Sequence, residues 1–267
     1  MVAPAGTPPE ATVLYAVSGP VATVSLNRPD ALNGFNKTMR TELAEALQTA
    51  ANDDAIRVVL LAARGRFFSA GADIKAGMPP EGQTVEQQLQ DEYRPSLELI
   101  NSMGKPVIAV INGGVAGIAL GYVLSCDLAV MADDAYLLSP FTTISLVGDG
   151  GVNWQLSRRL GYKKAFEYSI EGKKIEAAMA LETGLVNKVV PAHELLSAAQ
   201  EWAQQLALRA PRSVAATKRV MRFAMQNTWN DAYDLEARQQ LDLLGSRDNL
   251  EGVSAFLEKR TPEFSGE

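Results

Sequence analysis

Along the chain the apolar positions change period repeatedly, and each change marks an expected element. TVLYAVSG (12–19) and PVATVSL (20–26) alternate and meet at Gly19-Pro20, the punctuation of a hairpin. From Asn36 the spacing lengthens: Leu43, Ala46, Leu47 and Ala50 fall on one helical face, with Glu42, Glu45 and Gln48 between them. VVLLAA (58–63) reads as a fully buried strand, followed by a loop from Gly65 to Pro80 and a helix from about Val85 to Met103. PVIAVI (106–111) and DLAVMA (127–132) are further buried strands, flanking a turn at Asn112-Gly113-Gly114 and a helix over about Gly117 to Ser125. Strand and helix alternate, which predicts parallel strands joined by right-handed crossovers. Beyond Gly148 the pattern is almost entirely helical: GYKKAFEYSI, IEAAMALETG, then about Ala192 to Leu208, Arg212 to Met225 and Ala232 to Leu244. No low-complexity linker intervenes. The expected organisation is one α/β domain, a core over residues 1–200 with a helical region over 201–267 that packs on it and at an oligomer interface.

The uncharged run from Pro106 to Cys126 has the length of a membrane span, but the Asn-Gly-Gly in its middle predicts a turn, so no membrane segment is expected. The 267 residues, 47% of them apolar, support one sizeable core. A net charge of −6 without a basic cluster argues against a nucleic-acid partner. One cysteine (Cys126) and one histidine (His193) exclude an internal disulfide, a Cys/His zinc cluster and any Ser-His or Cys-His scheme that does not use His193. Cys126 reads as a small buried hydrophobe and His193, beside Pro191, as a surface residue. No Lys or Arg precedes the first apolar stretch, so a secretory signal is not expected and a reduced, cytoplasmic setting is.

Two glycine-containing loops, GRFFSAGADIK (65–75) and INGGVAGIALG (111–121), each follow a buried strand and lead towards a helix. Such turns expose backbone N–H groups at a helix start, where developing negative charge is favoured, although many serve packing alone. Two donors converging on one point would form an oxyanion hole.

Taken together, these segments resemble the crotonase (enoyl-CoA hydratase/isomerase) superfamily over nearly the whole chain. NRPDALNGFN (27–36), FFSAGADIK (67–75), KPVIAVINGGVAG (105–117), ETGLVNKVV (182–190) and FLEKRTPEF (256–264) are its landmarks, in order. The resemblance implies a crotonase-like spiral of βαβ units with a C-terminal helical layer, an acyl-CoA thioester substrate, and a homotrimer or homohexamer. By that similarity the thioester oxygen is held by the N–H groups of Ala72, after Gly71, and Ile118, after Gly117. The CoA adenine and ribose lie against Arg28, Ala31 and Leu32 and against Ala70, Gly71, Asp73 and Ile74; Lys259 or Arg260 lies near phosphate, in its own or a neighbour's site. Asp73 reads as a helix N-cap rather than an acid. No metal and no cofactor is expected, CoA being part of the substrate.

The acid/base positions decide the reaction. Family hydratases use two glutamates, and the matching positions are Gly121 and Phe141, neither able to move a proton. Eight residues beyond Phe141, in FTTISLVGDGGVNW, stands Asp149, where some family isomerases carry a catalytic aspartate. Tyr93 with Pro95, Phe141, the L-V-x-D-G-G run and Trp154 are most similar to the phenylacetate-pathway ring-type enoyl-CoA isomerases, with Ser145 and Gly148 departing from that pattern. The expectation is an enoyl-CoA isomerase that shifts a double bond between the 3 and 2 positions, with Phe141, Leu146 and Val147 as an apolar pocket that raises the Asp149 pKa, and Phe141 and Trp154 among the substrate contacts. The alternatives are an atypical enoyl-CoA hydratase or acyl-CoA hydrolase in which Asp149, with Glu98, acts on water, and a catalytically silent acyl-CoA-binding member. A dehalogenase relative has a nucleophilic aspartate here with a histidine on the preceding helix; the matching residue is Glu98. Asp149 could otherwise be a turn or N-cap residue, Glu98 a solvated charge, and Tyr93 and Trp154 packing residues.

Overall fold

The structure is a computed structural model that describes residues 11–77, 79 and 81–267. Strands β1 (Val13–Ser18) and β2 (Val21–Leu26) form the expected antiparallel hairpin, with Val13 opposite Leu26. The chain continues through α1 (Lys37–Asn52), β3 (Val58–Ala63), α2 (Val85–Gln88), α3 (Arg94–Ser102), β4 (Val107–Ile111), β5 (Val115–Ala116), α4 (Ile118–Ser125), β6 (Leu128–Ala132) and β7 (Tyr136–Leu138). Next come α5 (Val152–Leu160), α6 (Tyr162–Glu171), β8 (Lys174–Glu176), α7 (Ala177–Glu182), β9 (Lys188–Val190), α8 (Leu195–Ala207), α9 (Pro211–Ala224), α10 (Trp229–Leu243) and α11 (Arg247–Glu258). The main sheet runs β1-β2-β3-β4-β6-β9, parallel from β2 onwards, and a small sheet runs β5-β7-β8.

Because β2, β3, β4 and β6 are covered on both faces, nearly every residue in them is buried, which is why they read as continuous apolar runs. Helix α1 starts where Asn36 accepts from the Met39 N–H at 2.9 Å, and it buries Met39, Leu43, Leu47 and Ala50. Helix α8 lies across β2, β3, β4 and β6. Between α2 and α3 the backbone widens into a π turn over Leu89–Tyr93. Pro95 has no N–H to close an α turn on the Asp91 carbonyl, and the Arg94 N–H instead bonds the Leu89 carbonyl.

Several expectations need correcting. Beyond Gly148 the chain is not simply helical: β8 completes the small sheet and β9 forms an edge of the main sheet beside β6. Strands of three residues are too short to show a period. Helix α11 escaped the pattern, with Gly252 inside it and Gly245 just before it, although Ser246 caps it by accepting from the Asn249 N–H at 3.2 Å. The boundary expected at 200 falls inside α8, a helix of the core; the separate helical layer is α9 to α11. The Pro106 to Cys126 run is β4, a turn, β5 and α4, and among the described residues no helix is long and apolar enough to cross a membrane.

Candidate active site

Three loops meet beyond the C-terminal ends of β2, β3 and β4. The Arg28–Asn36 loop turns through left-handed Leu32 and Asn33, and its residues are tied into the next loop. Asn33 donates to the Arg64 and Phe67 carbonyls at 2.8 Å each, Ser69 Oγ donates to the Asn33 carbonyl at 2.7 Å, and the Ala70 N–H donates to the Leu32 carbonyl at 2.9 Å. The third loop is joined by the Ala116 N–H to the Ser69 carbonyl at 2.9 Å. Gly71 (φ +93°) and Gly117 (φ +60°) are where two of these loops touch; a Cβ on Gly71 would lie 2.8 Å from the Ala116 carbonyl oxygen. Glycine is required there on two grounds, backbone angle and space.

The consequence is a pair of free donors. Phe35 bridges to Ala72 through the Gly71 carbonyl and the Asp73 N–H, which leaves the Ala72 N–H unused, and Ile118 is the first residue of α4, where no intrahelical acceptor exists. Neither N–H finds a partner among the described residues. Beside them Ala31, Ala70, Ala72 and Ile74 form an exposed apolar ledge. Arg28 and Asp73 do not project freely from it. They pair with each other at 2.9 Å, and Asp73 caps the following turn by accepting from the Lys75 and Ala76 N–H groups, as its N-cap reading requires. Burial alone would raise the Asp73 carboxyl, but Arg28 and those N–H groups outweigh it and hold it below its usual value.

Asp149 sits on the segment that leads into α5, against the other flank of α4. Gly150 abuts the Ile118 side chain: a Cβ there would fall 2.8 Å from Ile118 Cγ1. Asp149 faces a cavity of about 500 Å³ whose walls include Leu89, Tyr93, Leu97, Leu146 and Val147. Its Oδ1 is buried and has no hydrogen-bond partner, so the side chain caps nothing; Gly151, not Asp149, is the N-cap of α5. Burial pushes the Asp149 carboxyl up to about 6, with only its own amide pulling the other way. Gly121 also gains a physical explanation: a Cβ there would lie 2.5 Å from the Gly150 carbonyl oxygen, so the Asp149 segment occupies the space that any side chain at 121 would need.

Other sequence candidates are placed elsewhere. Phe141 is buried in the core at the start of a 3-10 turn rather than lining the cavity, and Trp154 is partly exposed under the Arg158 guanidinium, 5.0 Å from its ring centre. Glu98 is exposed and pairs with Arg94 at 2.6 Å, which makes it a solvated charge. Lys259 caps α11 in a left-handed conformation, and the tail beyond it is anchored by Asp248 and by Arg57 at the start of β3, the end of the sheet opposite the loops. Within one chain it is not brought to Ala72. Cys126 is buried with its thiol pushed up to about 12 by burial, and His193 is exposed. A larger cavity of about 660 Å³ beside Cys126 holds Lys218 and Arg222, but both are bonded to Asp127 and to the carbonyls that end α3 and α4. Sequence reasoning missed Leu89 and Leu97 as cavity walls; with Tyr93 they form an i, i+4, i+8 stripe that could have marked the face.

The enoyl-CoA hydratase/isomerase family profile matches residues 17–267. A 1,2-epoxyphenylacetyl-CoA isomerase of Escherichia coli is 35% identical over 257 residues, which cover 95% of this chain and 98% of that protein. A 2,3-dehydroadipyl-CoA hydratase of the same organism is 31% identical over 250 residues, 92% of this chain and 95% of that one. The crystal structure of an enoyl-CoA hydratase from Bacillus anthracis superposes with a TM-score of 0.91 at 32% identity, covering 96% of this chain and all of that one. Sequence landmarks, paired glycine loops and overall architecture therefore agree, and the chain belongs to the enoyl-CoA hydratase/isomerase family.

Proposed function

We propose that the protein moves a double bond between the 3 and 2 positions of an enoyl-CoA thioester with Asp149 as the only acid/base. The observation that carries this reading is the buried, unpartnered Asp149 Oδ1 facing the cavity beside Ile118. In the proposed reaction Asp149 takes the proton from the carbon alpha to the thioester, and the electron pair moves onto the thioester oxygen, which accepts hydrogen bonds from the Ala72 and Ile118 N–H groups. Neutral Asp149 then returns the proton to the gamma carbon and the dienolate collapses. A carboxyl at about 6 suits both halves, since it is ionised at neutral pH yet basic enough to hold the proton. Hydration, the activity in the names of other relatives, needs water held and activated as well; Gly121 has no room for a carboxylate and Glu98 is committed to Arg94 in solvent.

The adenine end of CoA is assigned to the ledge of Ala31, Ala70 and Ile74, and the phosphate contact of Lys259 to a neighbouring copy in a trimer or hexamer, because its own chain holds it at the opposite end of the sheet. No metal or nicotinamide takes part. The test is product analysis of 3-enoyl- and 2-enoyl-CoA thioesters in heavy water. The expected result is interconversion of the two, with deuterium wash-in or internal transfer between alpha and gamma carbons. Formation of only the 3-hydroxyacyl thioester would replace this reading with the hydratase one.

A further inference from the structure

Tyr93 lines the same cavity as Asp149, yet it is only 2% exposed and its ring is fixed on both sides. It meets Phe35 edge-on at 6.1 Å between centres, and the Arg40 guanidinium lies 5.0 Å over it. Arg40 is itself buried, ion-paired with Glu92 at 2.6 Å and donating to the Phe35 carbonyl at 3.1 Å. Its Nη1 also donates to the Tyr93 hydroxyl oxygen at 3.3 Å. A guanidinium has donors only, so it occupies the phenol's oxygen and leaves the phenol's proton without a destination. Among the described residues no acceptor is hydrogen-bonded to that O–H. Asp149, whose buried Oδ1 has no partner, is not hydrogen-bonded to it. Burial, opposed by Arg40 and reinforced by the Asp149 and Glu92 charges, leaves the hydroxyl more firmly protonated than usual, so it is a donor at any physiological pH.

A buried donor on a residue that lines a cavity with largely apolar walls is costly unless the ligand satisfies it. We propose that Tyr93 is a specificity-determining residue whose hydroxyl donates to an oxygen carried by the acyl group. The preferred thioesters then bear an ether, epoxide, hydroxyl or keto oxygen beyond the reacting carbons, and plain hydrocarbon chains leave the phenol unpaired. This rests on the acyl-CoA reading above, but not on which reaction follows.

Calorimetry on the full chain, with pairs of saturated and therefore unreactive acyl-CoA thioesters, tests it. Members of a pair differ only in one methylene replaced by an ether oxygen, at successive positions along the chain. The wild type should bind at least one oxygen-containing thioester about 10-fold more tightly than its hydrocarbon twin, the scale of one well-made hydrogen bond. Tyr93→Phe keeps the ring packing and leaves Arg40 its Phe35 acceptor, so it should fold normally and bind the twins equally. Equal binding by the wild type at every position, or a preference that survives in Tyr93→Phe, overturns the assignment. Turnover of the corresponding 3-enoyl pairs separates the two readings: discrimination in binding without any isomerisation strikes the proposed reaction and leaves Tyr93 its role, whereas isomerisation without discrimination does the reverse.

Discussion

The wall that carries Ala72 and Ile118 is fixed by main chain, whereas the wall that carries Asp149 is open to solvent along much of its length. In the first, Asn33, Ser69 and Gly71 are all buried, and three loops are laced together by their carbonyls and amides. In the second, Leu146 is 59% and Val147 76% exposed, and the proposed base offers a single buried side-chain oxygen with no hydrogen bond to orient it. The difference teaches how one scaffold hosts several reactions. Donors that belong to the backbone survive changes of side chain but not of backbone angle, so in the proposed reaction the activation of the thioester is built into the fold. The proposed base stands on a segment that can change residue by residue.

The largest expected effect comes from breaking the rigid wall. Gly71→Ala places a Cβ 2.8 Å from the Ala116 carbonyl oxygen in a backbone conformation that disfavours it, so one of the two glycine loops must shift. With a donor displaced, kcat should fall about 100- to 1,000-fold while circular dichroism shows a folded chain. Ala72→Ser, at an exposed position whose amide does the work, should stay within about threefold. If the two variants were equally active, the rigid wall would have no special part in turnover.

The open wall is tested by Asp149→Asn, which keeps the shape and removes the base. Turnover should drop at least about 100-fold with little change in acyl-CoA affinity. In the wild type the rate should climb about tenfold per pH unit up to about 6, where the carboxyl becomes ionised, and level off above it. A profile flat from pH 4.5 to 8 would remove Asp149 from the proton transfer.

The two walls also differed in how far the sequence revealed them. Gly71, Gly117 and the runs VVLLAA and PVIAVI were legible because burial on both faces and a positive φ leave few alternatives among residue types. The location of Asp149 was legible too, from its place in the L-V-x-D-G-G run. What could not be read was the depth of its burial, the collision of Gly150 with any side chain at Gly121, and the displacement of Phe141 and Trp154 from the cavity. These depend on contacts between segments about 30 residues apart or on which way a short 3-10 turn faces, and neither leaves a period in the sequence. The π turn was hidden too: Pro95 is visible, but a proline alone does not say whether the helix stops there or widens.

A smaller effect concerns stability and distinguishes a strained functional residue from a structural one. Because the Asp149 pKa is raised on folding, the native state binds its proton more tightly than the unfolded chain does, so stability is lost as pH rises from about 4, the ordinary carboxylate value, to about 6. Above that the cost is constant. Asp149→Asn should therefore be more stable than the wild type at pH 7, by about 1 to 2 kcal/mol once partial solvation is allowed for, and the gain should vanish below about pH 4. Urea unfolding at the two pH values checks this. A less stable Asn variant at pH 7 would mean that the carboxylate has a partner in solution.

The smallest effect should come from the other acidic residue that the chain offers near this wall. Glu98, on α3, is 61% exposed, and its carboxylate pairs with Arg94 at 2.6 Å. Exposed pairs of this kind contribute about 0.3 to 0.5 kcal/mol at most. Glu98→Gln should accordingly leave kcat within about twofold and shift the unfolding midpoint hardly at all. The interest lies in the pair of experiments. In a two-carboxylate mechanism Glu98→Gln would rival Asp149→Asn, and the double variant would lose no more than either alone, since each group would depend on the other. In the single-base mechanism the double variant should match Asp149→Asn because Glu98 contributes nothing to add. Measuring all three rates on one 3-enoyl-CoA thioester therefore separates the two schemes by the size of the Glu98→Gln effect alone: a loss of 10-fold or more would bring a second carboxylate into the reaction and make the open wall a two-residue device.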